Sequence, residues 1–162
     1  MKEDRPTIFL HGLVSSGQGF KGTLFRRVLP NILTPDFTGP LDERMAQLAP
    51  ILGERSGWTI IGSSFGGLMA TLFTRQNPRQ VRKLILLAPA LAYPELTLDP
   101  HPPLAVPTVI FHGKRDTVIP LEPLQIISEQ LFENLDFNIV DDDHRLQQTV
   151  KALDWPALVS SA

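Results

Sequence analysis

The sequence predicts an α/β fold, a three-layer α/β/α sandwich on a mainly parallel sheet, and three observations lead there. Short β-rich apolar runs alternate with longer stretches whose apolar residues recur three and four apart, which is how strands and amphipathic helices alternate. Such alternation implies parallel strands joined by helices on both faces. The 162 residues are the size of one domain, read here as a single unit over 1–162, with 43% hydrophobic and 20% charged residues, the composition of a folded chain rather than a disordered one.

The strand candidates, in order, are Thr7 to Leu10, Asn31 to Leu33, Trp58 to Ile61, Val81 to Leu87, Thr108 to Phe111 and Asp136 to Val140. Helical spacing fills Phe20 to Leu29, Asp42 to Glu54, Phe65 to Gln76 and Leu121 to Phe132. In the second helix Met45, Leu48, Ile51 and Leu52 form one stripe, with Asp42 as the expected N-cap. Pro30 and Pro35 punctuate the second strand, and Pro78 stands where the third helix should stop. The stretch Pro89 to Pro107, with Pro94, Pro100, Pro102 and Pro103 inside it, reads as a rigid connecting loop and not a helix.

Composition narrows the partners. A net charge of −2 supplies no basic field for phosphate contacts, so nucleic acid is not expected. The charged start Met1 to Pro6 leaves no apolar leader, and no run approaches the roughly 18 apolar residues of a membrane span. With no cysteine there is neither a disulfide framework nor a thiolate metal site. The expectation is a cytoplasmic protein acting on a small uncharged molecule, with no membrane partner and its oligomeric state open.

Open parallel sheets bind ligands beyond the carboxyl ends of their strands. After Trp58 to Ile61 comes Gly62-Ser63-Ser64-Phe65-Gly66-Gly67, a G-x-S-x-G between a strand and a helix. A turn sharp enough to lift the Ser64 hydroxyl clear of the backbone strains its dihedrals and brings strand and helix together, so its neighbours must be minimal. The helix start then offers the Phe65 N–H and a favourable dipole. The alternative is an ordinary glycine-rich turn.

A nucleophilic serine needs a base, and the base an orienting acid. Asp116 follows the strand Thr108 to Phe111 in a polar turn, and His144 lies 28 residues further on, after the last strand. The order serine, acid, histidine along the chain fits the G-x-S-x-G context. His11 and His112, each before a glycine at a strand end, are expected to hold loop backbone, and His101 sits in the proline-rich loop. The second oxyanion donor, beside Phe65 N–H, is expected at Leu13 N–H, with Val14 as the alternative.

His11-Gly12-Leu13, the Ser64 segment, His112-Gly-Lys-Arg-Asp116-x-Val118-x-Pro120 and His144 together resemble the α/β-hydrolase superfamily, in particular its small lidless esterase-like members. The resemblance implies a minimal form of that fold with about six parallel strands in the order 4-3-5-6-7-8, no first hairpin and no cap domain. It also implies a serine nucleophile, an acyl-enzyme intermediate and a triad working without cofactor or metal. The expected function is hydrolysis of a small carboxylic ester. The same triad also serves thioesterases and other acyl hydrolases, and a non-catalytic hydrolase-like binding protein is the further alternative.

Two other motifs offer rival readings. Gly17-x-Gly19-x-x-Gly22 followed by Asp36 matches the dinucleotide fingerprint, but its glycines begin six residues after the strand rather than at its end. Asp141-Asp142-Asp143 beside His144 reads as a solvated acidic turn rather than a metal site, because neighbours on an extended chain diverge. Its charge near His144 is expected to favour the protonated imidazole.

Overall fold

A computed structural model describes residues 5–162; the charged segment Met1 to Asp4 lies outside the described residues. Five strands, β1 (Thr7–Leu10), β2 (Trp58–Ser63), β3 (Val81–Leu87), β4 (Thr108–Gly113) and β5 (Leu135–Val140), form one sheet in the order β1-β2-β3-β4-β5, and every neighbouring pair is parallel. The connecting helices are α1 (Phe20–Val28), α2 (Leu41–Leu52), α3 (Phe65–Gln76), α4 (Pro94–Thr97), α5 (Leu121–Leu131), α6 (Gln147–Ala152) and α7 (Trp155–Ser160).

Alternation along the strands sorts the core into two layers. Ile8, Leu10, Ile60, Leu84, Leu86 and Ile110 face α2, α3 and α5. Phe9, Ile61, Ile85, Leu87 and Phe111 face α1, α6 and α7. Helix α3 lies deepest, with every residue from Phe65 to Thr74 buried. Its two buried hydroxyls are satisfied within the helix, Thr71 donating to Gly67 O and Thr74 to Ala70 O, both at 2.8 Å.

The sheet has five strands where the sequence leads one to expect six. Asn31 to Leu33 does run beside β1, the place the expected order assigns it, but only as an isolated bridge between Ile8 and Leu33. Phe9 N–H donates to Leu33 O at 2.9 Å and Leu33 N–H to Thr7 O at 3.0 Å. Asn31 at φ 66° is left-handed and cannot carry an extended chain in, and Pro35 has no N–H with which to carry the ladder on. Two other expectations are corrected. The N-cap of α2 is Pro40, which leaves Asp42 and Glu43 in the first turn, favourably placed toward the helix dipole. The proline-rich connection, residues 88–107, contains the short helix α4, with Pro94 at its start, where a missing N–H costs nothing.

The C-terminal helices have no counterpart among the sequence expectations, and buried groups hold them. Trp155 packs edge-on against Phe25 at 4.6 Å between ring centroids and donates Nε1–H to Val150 O at 2.8 Å. Lys83, buried at the start of β3, donates to Leu158 O and Ser161 Oγ at 2.7 Å each, and Arg82 donates to Val159 O and Ser161 O. Cations at the carbonyl end of α7 match its dipole. No helix among the described residues is long and apolar enough to cross a membrane.

Trp155→Ala should therefore cost about 3–5 kcal/mol of stability, the range for emptying a buried aromatic site. Urea unfolding followed by circular dichroism checks this, and Trp155→Phe should lose visibly less. Equal losses would mean that the indole hydrogen bond, not ring packing, holds the C-terminal helices.

Candidate active site

All the candidate residues lie at the carboxyl edge of the sheet, because parallel strands end together there. Ser64 immediately follows β2 and is the N-cap of α3, with φ 53° and ψ −114°. A serine in that region is strained, and three backbone bonds hold it there. Ser64 N–H donates to Leu87 O at 2.9 Å, while Ser64 O accepts from Gly67 N–H at 2.9 Å and Ala90 N–H at 3.0 Å. A Cβ on Gly66 would overlap the Leu10 and His11 carbonyls, and one on Gly62 would meet Gly66 O and Gly67 Cα. The turn exists because both positions lack side chains.

Asp116 and His144 meet directly. Asp116 Oδ2 accepts from His144 Nδ1 at 2.8 Å, and Asp116 Oδ1 accepts from Val118 N–H and Ile119 N–H, each at 2.8 Å. The Asp116 carboxylate is fully buried and the His144 ring is 23% exposed. Since a carboxylate can only accept here, His144 donates from Nδ1, which leaves Nε2 as the nitrogen turned away from Asp116. Gly113 permits this meeting of turns: a Cβ there would collide with the carbonyls of Asp142 and Asp143.

The oxyanion candidates share a cleft with the serine. Leu13, Ser64 and Phe65 line a hollow of about 330 Å³ together with Leu91, Tyr93 and Leu124. No charged side chain lines it. Phe65 N–H, first in α3, has no intrahelical acceptor available to it. Val14, the alternative donor, is fully exposed and does not line the cleft. His11 fixes this loop: its Nε2 accepts from Phe37 N–H at 2.8 Å, so Nδ1 donates to Gly12 O at 2.7 Å. A larger groove of about 920 Å³, floored by Leu24, Val150 and Trp155, lies between α1 and the α6–α7 end, and none of Ser64, Asp116 and His144 lines it.

Families of solved structures share this arrangement of sheet and helices. The chain superposes on alpha/beta hydrolase domain-containing protein 10 from mouse with a TM-score of 0.76 at 17% identity, covering 98% of this chain and 92% of that one. The chain has the α/β-hydrolase fold. A Xanthomonas campestris protein placed in the α/β superfamily of hydrolases aligns at 28% identity over 90% of each chain, TM-score 0.72. Est1E from Butyrivibrio proteoclasticus, in a structure holding ferulic acid, matches at 16% identity and TM-score 0.73, covering 94% of this chain and 88% of its own. No protein-family model matches the sequence, and no curated protein does. Residues 88–107 join β3 to β4.

The other motifs resolve into loop structure. Gly17 N–H donates to Asp36 Oδ1 at 2.7 Å, and Gly17 O accepts from Arg26 at 2.6 Å. Gly17, the first of the fingerprint-like glycines, is thus engaged by the Asp36 carboxylate and by Arg26 of α1. The acidic turn is only partly solvated. Asp141 pairs with Arg115 at 3.1 Å, and Asp143 Oδ1 accepts from Arg145 N–H at 3.0 Å. Asp142 is buried, accepting from Asp143 N–H at 2.8 Å, Thr149 N–H at 3.0 Å and Thr149 Oγ at 2.9 Å. Sequence reading misses Asp142 because its partners lie seven residues on, past a left-handed Leu146.

Burial pushes the Asp142 carboxyl up, but those N–H and hydroxyl donors, helped by Arg115, outweigh it and hold it below the ordinary carboxylate range. A carboxyl whose folded pKa lies below its unfolded one adds stability above the unfolded value and loses it as pH falls through the folded one. Asp142→Asn should therefore cost about 1.5–3 kcal/mol at pH 7, the scale of hydrogen bonds to a charged group. The gap to the parent should shrink as pH drops below the carboxylate range, which denaturation at stepped pH measures. A gap that stays constant into strong acid would show that shape, not charge, matters at this position.

Proposed function

We propose that the protein is a serine hydrolase that cleaves small, uncharged carboxylic esters through an acyl-enzyme intermediate. The observation that carries this reading is the 2.8 Å bond between Asp116 and His144 Nδ1, at the same sheet edge as a serine strained onto the start of α3. In the proposed reaction Ser64 Oγ attacks the ester carbonyl while His144 Nε2 takes its proton. The Leu13 and Phe65 amides receive the developing oxyanion, and the imidazolium that Asp116 stabilises then gives its proton to the departing alcohol. Water activated by the same histidine releases the acid and restores Ser64. No step requires a cofactor.

The uncharged lining of the cleft supports a neutral substrate, since a buried charge without a partner would be costly. Its size supports a short acyl group. Leu91 and Tyr93 line the cleft, whereas Leu96 does not. Each methylene gains about 0.8 kcal/mol only when it leaves water, so the gain ends where the cleft does. The short α4 and its prolines make a fixed rim rather than a closing lid.

A fluorophosphonate probe should label the protein at Ser64, and Ser64→Ala should abolish labelling with the fold intact. Asp116→Asn should lower kcat by about 10⁴-fold, the loss expected when an acid no longer holds the productive tautomer. Labelling that persists in Ser64→Ala would overturn the assignment. Absence of labelling in the parent would favour a binding protein.

Across p-nitrophenyl esters kept below their solubility limits, kcat/KM should peak between acetyl and hexanoyl, without interfacial activation. A steady rise to dodecanoyl would contradict the short cleft. Higher kcat/KM on the matching thioesters would move the assignment to a thioesterase.

A further inference from the structure

We propose that His112 is a positioning residue for the acid: a buried imidazole that holds the Asp116 carboxylate in the orientation that serves His144. This rests on the triad reading above. His112 is the fifth residue of β4, and its side chain has no exposed surface. Its Nε2 lies 2.9 Å from Ile119 O and 3.5 Å from Asp116 Oδ2. Both atoms are acceptors, so Nε2 carries the proton, donating to the carbonyl and contacting the carboxylate electrostatically at a distance too long for a good hydrogen bond.

That single N–H therefore acts on both parts of the acid's seat. Ile119 gives its own N–H to Asp116 Oδ1, and His112 holds the carbonyl of the same residue. Without it, the turn Thr117 to Ile119 could rotate its amides away from Oδ1, and the carboxylate would turn with them. The other ring nitrogen, Nδ1, is buried and has no partner among the described residues. An apolar side chain would fill this space without an orphaned acceptor, so packing alone does not account for a histidine.

The groups acting on His112 are few. Burial pushes its imidazole below the usual histidine range and His144 pushes the same way, against the Ile119 carbonyl and Asp116. Arg115, on the same turn, faces outward to Asp141. A neutral His112 leaves the negative charge of Asp116 to His144. Protonated, it would share that charge and weaken the hold on the base.

The test uses the full chain with ¹⁵N-labelled histidine, comparing the parent, His112→Gln and His112→Leu by NMR titration and by kcat on p-nitrophenyl butyrate. The side-chain amide introduced by His112→Gln can still direct an N–H to the Ile119 carbonyl, whereas His112→Leu removes every donor. The expected parent spectrum has neutral His112 as the Nε2–H tautomer, with a midpoint below the usual histidine range. His112→Gln should keep kcat within about threefold, while His112→Leu should lower it at least about tenfold with KM within about twofold. The His144 midpoint should fall in His112→Leu, because a loosened carboxylate stabilises the imidazolium less, and stay near the parent value in His112→Gln.

A His112 in the Nδ1–H form, an unchanged or raised His144 midpoint in folded His112→Leu, or a His112→Gln as impaired as His112→Leu would each overturn the proposal. If His112→Leu does not fold, the parent tautomer and His112→Gln decide. A parent inert to fluorophosphonate whose His144 still responds to position 112 would sink the hydrolase reading and leave the positioning role standing.

Discussion

The close approach of α3 to the ends of β1 and β2 is the constraint on which the rest depends. Gly66 sits where any side chain would enter the Leu10 carbonyl, and the approach lets the chain turn from strand to helix within one residue. That residue, Ser64, takes a left-handed backbone at φ 53°. The strain is sustained because Leu87 O, Gly67 N–H and Ala90 N–H bind its backbone from β3, from α3 and from the loop after β3. Strain of this kind persists only where surrounding structure over-determines it. Ten consecutive buried residues of α3, Phe65 to Thr74, anchor the turn from the helix side. Loosening α3 would thus act on the site as well as on stability.

A second constraint brings Asp116 to His144. Asp116 and His144 stand on different turns, after β4 and β5, and adjacent parallel strands end side by side. Gly113 lets the two turns touch, and further backbone bonds then join them: Lys114 N–H to Val140 O at 2.9 Å and Arg115 N–H to Asp142 O at 3.1 Å. Asp142 ties the His144 turn to the start of α6 through Thr149. The turn that carries His144 is therefore held by the buried Asp142 carboxylate, and its ring by Asp116.

The parts of this molecule that are legible in sequence are those set by local pattern. Val81 to Leu87 and Thr7 to Leu10 are apolar runs long enough to be strands wherever the chain goes, and both boundaries coincide with the structure. Ser64, Asp116 and His144 stand out because their order and strand-end positions are constraints of topology. Hydrophobic spacing cannot register the left-handed φ of Asn31, which reduces the second strand to a bridge. Nor can it show α6 and α7, six residues each, which are held by Phe25 and Lys83 far away in sequence. The buried state of Asp142 is hidden for the same reason, since its donors converge on it only after the chain has turned at Leu146.

His11 and His112 follow one local pattern, a buried histidine before a glycine at the end of a strand, and reach opposite tautomers. Phe37 N–H can only donate, which makes Nε2 of His11 an acceptor and puts its proton on Nδ1 toward Gly12 O. Ile119 O can only accept, which puts the proton of His112 on Nε2. Each ring braces a loop at the carboxyl edge of the sheet, the one that carries Leu13 in one case and the Asp116 turn in the other. Histidine suits both places because a neutral imidazole can donate from either nitrogen and accept at the other. The difference between the two lies in what remains: His11 has both nitrogens engaged by backbone, whereas His112 leaves one buried nitrogen bare and turns its N–H toward a carboxylate. Bracing a loop accounts fully for His11, whereas the His112 ring also lies 3.5 Å from Asp116 Oδ2, a contact that bracing alone does not require.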